Sequence, residues 1–549
     1  MRIFGSSLSV AALLFSGFLA AAQAPGPSAA IAVPGSSSES CARLARLDLP
    51  NAAISSATAY ERGAFSGPKA AFTGADMTAI YKMLPPFCRV VAHAHPSPDS
   101  DIAIEVWMPL TGWNGRLEGF GNGGFAGVID YSAIGSLMLG FAAAATDAGH
   151  AGSPIDATWA LGHPEKIEDF GHRGIHEMTR IAKAVVEQFY GFGAKHSYFF
   201  GCSDGGREAL MEAQRYPADY DGILAGAPAN NWTSLLTMAV VDTQALTATP
   251  ASFIPQAKIP TIAKAVLAAC DAQDGPADGI VNDPSQCRFD PATIECKADA
   301  DANDCLTAPQ AGALKTIYAG LHDAEGRSIF PGYLPGAEEG PGGWGLWITG
   351  PAPVASAMAL FGTGYYSNMV YGKGWDYKTF TLDAGLRDAR QKTAAALDAV
   401  NPDLSAFYGR GGKLILYHGW NDPAIPALST VNYYNEVVAK AGASTANSFV
   451  RLYLVPGMQH CGGGPGATVL EHYTVQGPDE NSNMHLALQN WVEKGTAPGT
   501  IIAVKTPGDH PTGAVTMSRP LCPYPQIAKY KGAGDPKSAE SFTCAAPAK

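Results

Sequence analysis

Phe199-Phe200-Gly201-Cys202-Ser203-Asp204-Gly205-Gly206-Arg207 is the stretch that decides how this chain folds. It contains the pattern G-x-S-x-G at 201–205, after the apolar run Tyr198-Phe199-Phe200 and before a helix-like run at 207–213. Strand, tight turn and helix is the context in which such a serine acts as a nucleophile. The glycines let the turn close, and the turn lifts the hydroxyl above the sheet edge. A glycine-rich turn without chemistry has the same local pattern, so Ser203 needs partners elsewhere in the chain.

Working outward, apolar residues at 175, 178, 181, 185, 186 and 189 mark one face of a helix that Gly191 stops. Residues 102–107 and 141–146 read as strands. A third strand begins after the turn Trp113-Asn114-Gly115-Arg116 and ends at Gly121-Asn122-Gly123-Gly124-Phe125-Ala126-Gly127. That loop can expose backbone N–H groups and supply half of an oxyanion hole, or it is a plain surface loop. It is not a nucleotide fingerprint, because no G-x-G-x-x-G with a following amphipathic helix is present. Further on, 413–417 is a short apolar strand running into a polar turn at His418-Gly419-Trp420-Asn421-Asp422, and 450–455 is the next strand. A loop follows, Pro456-Gly457-Met458-Gln459-His460-Cys461, and then a short helix at 484–494. Strands alternating with helices predict the α/β class with a parallel sheet.

The alternation stops at about Pro217 and resumes at about 406. The stretch between is rich in Gly, Pro, Ala and aromatic residues. It reads as an inserted domain, a lid above the strand ends. The expected organisation is a leader at 1–24, core at 25–216, lid at 217–405 and core again at 406–549. Aromatic residues of the insert, at 342–347 and 365–371, either line a pocket or form the insert's own core.

A serine nucleophile needs a base, and the base needs an orienting carboxylate. Of the 13 histidines, His460 follows a strand in a Gly-flanked loop late in the chain, and Asp422 follows the preceding strand. The order Ser203, Asp422, His460 is the α/β-hydrolase order. His418, four residues before Asp422, is the rival base. The backbone N–H of Asp204, next to the nucleophile, and one N–H from the 121–124 loop are the expected oxyanion donors. Cys202 precedes Ser203 and Cys461 follows His460. If the two are bonded, their Cα atoms lie about 5.5–6 Å apart, which brings Ser203 and His460 together.

The chain has 549 residues, 37 Lys plus Arg against 49 Asp plus Glu, and a net charge of −12, which argues against nucleic acid or an anionic membrane surface as partner. Met1-Arg2, the apolar run 10–22 and Ala22-Gln23-Ala24 have the form of a cleavable secretory signal peptide, so export to the periplasm or the exterior is expected. Ten cysteines in an exported chain suggest five disulfides. Pairing of neighbours gives Cys270 with Cys287, Cys296 with Cys305 and Cys522 with Cys544 as local loops. It leaves Cys41, Cys88, Cys202 and Cys461. Asp271, Asp274 and Asp278 fall within eight residues, with Gly275 between and Gly279 just after. That suits a hard cation such as Ca²⁺ or a solvated acidic turn equally well.

Together, residues 201–207, Tyr417-His418-Gly419 with Asp422, and residues 456–461 resemble the tannase and feruloyl esterase family, which also includes the hydrolase of mono(2-hydroxyethyl) terephthalate. The Cys-Ser and His-Cys dipeptides are its most specific mark. The resemblance implies an α/β-hydrolase fold with a large inserted lid domain, and a triad of Ser203, Asp422 and His460. It implies oxyanion donors at Gly124 and Asp204. It implies the disulfides Cys202–Cys461, Cys41–Cys88, Cys270–Cys287, Cys296–Cys305 and Cys522–Cys544. It also implies a structural Ca²⁺ in the lid, bound by Asp271, Asp274 and Asp278 side chains and by the Pro276 and Ile280 carbonyls. The implied activity is a serine carboxylesterase acting on small aromatic (phenolic) esters. The family's terephthalate-monoester hydrolase reads a free carboxylate with a lid Arg, whereas residues 351–371 here contain no Arg or Lys. Feruloyl esterase therefore leads. Tannase and terephthalate-monoester hydrolase are the alternatives, and a non-catalytic phenolic-binding protein is the alternative of another class. Neither the preferred ester nor the oligomeric state follows from the sequence.

Overall fold

The computed structural model describes residues 36–71, 74–273, 275–297, 300–474 and 477–547. The expected leader at 1–24 lies outside these residues, as does Asp274.

Nine strands make one sheet: β1 (Ala52–Tyr60), β2 (Phe87–Ala94), β3 (Ile102–Pro109), β4 (Arg116–Phe120), β5 (Ala142–Thr146), β6 (His196–Cys202), β7 (Gly222–Gly226), β8 (Lys413–Gly419) and β9 (Val450–Val455). Their spatial order is β1-β2-β3-β5-β4-β6-β7-β8-β9. β1, β2, β3 and β5 pair antiparallel in turn. The run β5-β4-β6-β7-β8-β9 is parallel throughout. The parallel strands are covered on both faces, which is why they read as continuous apolar runs rather than as alternations. β5 (Ala-Ala-Ala-Ala-Thr) and β7 (Gly-Ile-Leu-Ala-Gly) are buried at every position.

β7 corrects the expected boundary at 216/217. The sheet keeps one more strand before the chain leaves it, since β7 sits between β6 and β8. Five residues bounded by glycines carry too little periodicity to announce a strand. The glycines are packing requirements: a Cβ at Gly226 would lie 2.3 Å from the Tyr417 ring.

Between β7 and β8 the chain builds a helical layer that includes α3 (Trp232–Thr247) and α4 (Ala357–Tyr365). α1 (Gly174–Tyr190) and α2 (Asp204–Arg215) precede it, and α5 (Ala427–Ala441) and α6 (Met484–Lys494) follow. α1 ends at Gly191, whose φ of 81° is the left-handed cap that glycine supplies without strain. The inserted layer shares one apolar cluster with the loops at the strand ends. Phe125, Ala148 and Phe170 from those loops pack with Trp232, Leu236 and Met358. The insert therefore roofs the carboxyl ends of the parallel strands, where open α/β sheets place their ligands. Its aromatics divide by position. Tyr365 and Tyr366 are fully buried and hydrogen-bond to Thr393 and Thr237, and Trp344 is core as well. Trp347 is half-buried and faces the strand ends.

All ten cysteines pair, and each pair has a distinct place. Cys41–Cys88 ties the N-terminal helix at Ser38–Arg43 to β2. Cys202–Cys461 joins the end of β6 to the loop after β9. Cys270–Cys287 and Cys296–Cys305 close local loops within the insert, 17 and 9 positions long. Cys522–Cys544 staples the C-terminal segment over 22 positions. The three neighbour pairs expected from spacing are among them. Cys41–Cys88 and Cys202–Cys461 resolve the four cysteines that spacing left open. Among the described residues no helix is long and apolar enough to cross a membrane.

Candidate active site

Ser203 sits at the turn from β6 into α2 with φ 67° and ψ −122°, a conformation that side-chain-bearing residues seldom adopt. The surroundings enforce it. The Ser203 N–H donates to the Gly226 carbonyl at 3.0 Å, and its own carbonyl accepts from Ala229 at 3.1 Å. The turn closes only because Gly201 has no side chain, since a Cβ there would lie 2.3 Å from the Gly205 oxygen. This is the strained strand-to-helix elbow that presents a nucleophile.

His460, in the loop after β9, places Nε2 2.9 Å from Ser203 Oγ and Nδ1 2.8 Å from Asp422 Oδ2. A carboxylate accepts only, so Nδ1 carries the proton and donates to Asp422. Nε2 is then free to accept from the Ser203 hydroxyl. Asp422, in the turn after β8, is buried. Its Oδ1 accepts the N–H groups of Ala424 (2.7 Å) and Ile425 (2.9 Å). Burial alone would raise its pKa, but the adjacent His460 and His418 outweigh this and hold the carboxyl well below the usual range.

His418, the rival base, points away from Ser203. Its Nε2 faces the Ile425 carbonyl (3.0 Å) and Asp422 Oδ2 (3.2 Å), and its Nδ1 accepts from the Thr430 hydroxyl at 2.8 Å. It braces the carboxylate from behind, a role that its place at the strand end did not suggest. Cys202 and Cys461, with Cα atoms 6.1 Å apart, tie the serine turn to the histidine loop across 259 positions. The other eight cysteines (Cys41, Cys88, Cys270, Cys287, Cys296, Cys305, Cys522 and Cys544) staple segments that do not line the cleft.

Gly124 and Asp204 both line the cleft beside Ser203. Asp204 turns its side chain away, into a fully buried pair with Arg207 (Nε to Oδ1, 2.6 Å). Its backbone alone is left for the cleft. The cleft, a narrow cavity of about 90 Å³, runs from Ser203 and His460 under the insert. Its walls include Leu235 and Leu236 of α3, Met358 and Phe361 of α4, and Trp347, whose ring meets His460 edge to face at 4.7 Å between centroids. No Arg or Lys lines it among the described residues. The wall residues carried no signal in the sequence beyond being apolar.

The acidic segment lies apart from this cleft. Asp271 is buried and accepts the N–H groups of Asp278 (3.3 Å) and Gly279 (2.9 Å). Asp278 accepts from Arg519 at 2.8 Å. The Pro276 carbonyl accepts the Asp278 N–H, and Ile280 is buried. Among the described residues no group of three or more His, Cys, Asp or Glu is arranged to hold a metal ion. With Asp274 outside those residues, the implied ligand set is placed only in part.

A strained serine elbow, a late histidine and a buried aspartate at the ends of parallel strands define an α/β-hydrolase-type architecture. The family model described as "Tannase and feruloyl esterase" matches residues 88–545. An uncharacterised esterase of Xanthomonas campestris pv. campestris is 39% identical over 94% of this chain and 92% of its own length. The mono(2-hydroxyethyl) terephthalate hydrolase of Piscinibacter sakaiensis is 36% identical over 81% of this chain and 82% of its own. The crystal structure of feruloyl esterase B from Aspergillus oryzae superposes with a TM-score of 0.82 at 28% identity, covering 92% of this chain and 100% of that one. The chain belongs to the tannase and feruloyl esterase family and is, with it, a carboxylic ester hydrolase.

Proposed function

We propose that the protein is an exported serine esterase that hydrolyses esters of neutral aromatic acids, with ferulate-type esters preferred. One observation carries this reading: the unbroken line Asp422–His460–Ser203 opens onto a largely apolar cleft with no Arg or Lys in its wall among the described residues. Ser203 Oγ attacks the ester carbonyl while His460 Nε2 takes its proton, and Asp422 stabilises the imidazolium that forms. The backbone N–H groups of Gly124 and Asp204 receive the charge that develops on the carbonyl oxygen. His460 then returns the proton to the leaving alcohol. A water, activated the same way, releases the acid.

The cleft wall sets the acyl preference. A free carboxylate would be desolvated there without a partner, and gallate's three hydroxyls would lose water with little in return. A methoxylated cinnamoyl ring loses least. Rates on methyl ferulate, methyl gallate and a terephthalate monoester, measured side by side, are expected to fall in that order. A terephthalate monoester as best substrate would overturn it. Ser203→Ala is expected to lower turnover by at least about 10³-fold and to abolish labelling by a fluorophosphonate. Near-normal turnover by that variant would overturn the nucleophile assignment.

The same reading includes two features away from the cleft. Five disulfides call for an oxidising compartment, the periplasm or the exterior, and recovery of active, oxidised enzyme only from the cytoplasm of its native cell would contradict export. A structural Ca²⁺ would be held by Asp271, Asp274 and Asp278, with the Pro276 and Ile280 carbonyls. The donors fit a hard cation in kind. The Asp271 side chain is buried and that of Asp278 nearly so, and one Arg519 leaves the pair incompletely neutralised. Chelation is expected to lower Tm and added Ca²⁺ to restore it. A Tm indifferent to both would remove calcium from the account.

A further inference from the structure

Glu208 lies on α2, one turn beyond Asp204, and is 1% exposed. It takes no part in the line Asp422–His460–Ser203, yet it reaches across to the loop that carries Gly124. Its Oε2 accepts the backbone N–H of Asn122 at 2.7 Å and its Oε1 accepts the Asn122 side-chain amide at 3.2 Å. A bond runs the other way as well, from the Gly205 N–H to the Asn122 carbonyl at 2.7 Å. The residue just before, Gly121, donates to the Phe200 carbonyl at 2.9 Å. A Cβ at Gly121 would lie 2.6 Å from Gly205 Cα, so loop and helix meet backbone to backbone. Asn122 is therefore held at its N–H, its carbonyl and its side chain by the one helix that Ser203 opens.

We propose that Glu208 is a positioning residue for the oxyanion hole, fixing the spacing between the N–H groups of Gly124 and Asp204 by locking Asn122 to the nucleophile helix. The inference rests on the esterase reading above and goes beyond it by assigning a buried carboxylate that the triad does not use. The two oxyanion donors, Gly124 and Asp204, lie 80 positions apart in the chain, and the Glu208–Asn122 bond bridges those segments. Without a cross-brace they would be set only by the packing of a glycine-rich loop. A carboxyl group is the group that fits, because both donors of Asn122 converge on its two oxygens, and each oxygen accepts one. Arg207 cannot substitute, because a guanidinium has no acceptor to offer the Asn122 donors, and its own N–H groups go to Asp204 and the Phe170 carbonyl. A displacement of about 1 Å at such a site costs on the order of 100-fold in rate.

The test is Glu208→Gln, which keeps size and one acceptor but turns an NH₂ toward one of the Asn122 donors. Asn122→Ala, which removes only the side-chain amide, is the milder companion should the first fold poorly. With methyl ferulate, Glu208→Gln is expected to lower kcat about 10- to 100-fold with KM within about threefold, and Asn122→Ala to lower kcat less. Affinity for a trifluoromethyl ketone, which forms a tetrahedral adduct on Ser203, is expected to fall in parallel with kcat/KM. Affinity for the product acid, which forms none, is expected to stay. Unchanged kcat, or equal losses for adduct and product acid, would overturn the proposal. The second-order rate of fluorophosphonate labelling at Ser203 keeps the two readings apart. If the wild type is labelled but does not hydrolyse the esters, the substrate reading fails, and slower labelling of Glu208→Gln still supports the brace while equal labelling refutes it.

Discussion

Asp422 shows how much of this site is made by residues that never touch a substrate. A carboxylate with no exposed surface is stable as an anion only if its lone pairs are filled. Here two backbone N–H groups, His460 and His418 fill them. At the same scale, the acyl preference proposed above rests on uncharged side chains. Met358 is 5% exposed and lines the cleft on α4. Met358→Arg would place a cation where the wall has none. It is expected to lower kcat/KM for methyl ferulate at least about tenfold through an unpaired buried charge and to raise it for a terephthalate monoester. The ratio of the two measured rates is the readout, and an unchanged ratio would mean the acyl group lies elsewhere. The meeting of Ser203, His460 and Asp422 was legible in the sequence because residue type, chain order and the flanking cysteines constrain it. Leu235, Met358 and Phe361 were not. α3 and α4 are apolar around most of their circumference, so no periodicity separates a residue lining a cleft from one filling a core.

At the scale of elements, the insert is braced to the loops after β8 and β9 from the positions just before Asp422 and His460. Asn421 donates its side-chain amide to the Pro335 carbonyl at 2.9 Å and accepts the Gly457 N–H at 3.2 Å. Gln459 donates to the carbonyls of Ala337 (2.7 Å) and Glu339 (2.6 Å). Both side chains are buried, and loss of the Asn421 bond leaves the buried Pro335 carbonyl unsatisfied, at about 1–3 kcal/mol. Gln459→Ala is expected to loosen the His460 loop against the insert and to lower kcat about tenfold. Adding Asn421→Ala is expected to cost less than the two single losses combined, because both act on the same segment. Steady-state kinetics of the three variants check this, and kcat within about twofold of wild type in Gln459→Ala would remove the brace from the catalytic account. Most sheet and helix elements could be read because strong apolar runs or a 3.6-residue period marked them; β9 and α6 match their expected limits. The misplaced boundary at β7 and the braces share one cause: both depend on what a short segment meets in three dimensions, which leaves no local pattern.

For the molecule as a whole, the sheet, the helix α6 and a late hairpin are joined by one charge cluster that takes no part in the chemistry proposed above. His485 of α6 lies 2.6 Å from Glu118 Oε1 of β4 and 3.5 Å from Glu471 in the strand Glu471–Thr474. The Ser136 hydroxyl donates to the other Glu118 oxygen at 2.6 Å. Burial alone would lower the His485 pKa, but the carboxylates of Glu118 and Glu471 outweigh it and push it up to about 9. Burial also raises the Glu471 carboxyl. The sign follows from linkage. A histidine whose folded pKa lies above its unfolded value of about 6.5 binds its proton more tightly in the native state. Its stabilisation is complete below about pH 6.5 and is lost as pH rises through about 9. Above that, the buried Glu118 and the partly buried Glu471 lose the positive charge between them, in a chain already at net charge −12. Tm is therefore expected to fall between about pH 6.5 and 9 in the wild type. His485→Gln is expected to melt several degrees lower at about pH 6 and to show a flatter profile across that window, because it has no proton to lose there. Melting curves at about pH 6, 7.5 and 9 for both proteins decide the matter. Parallel profiles would place the pH dependence in other groups and reduce His485 to a packing residue.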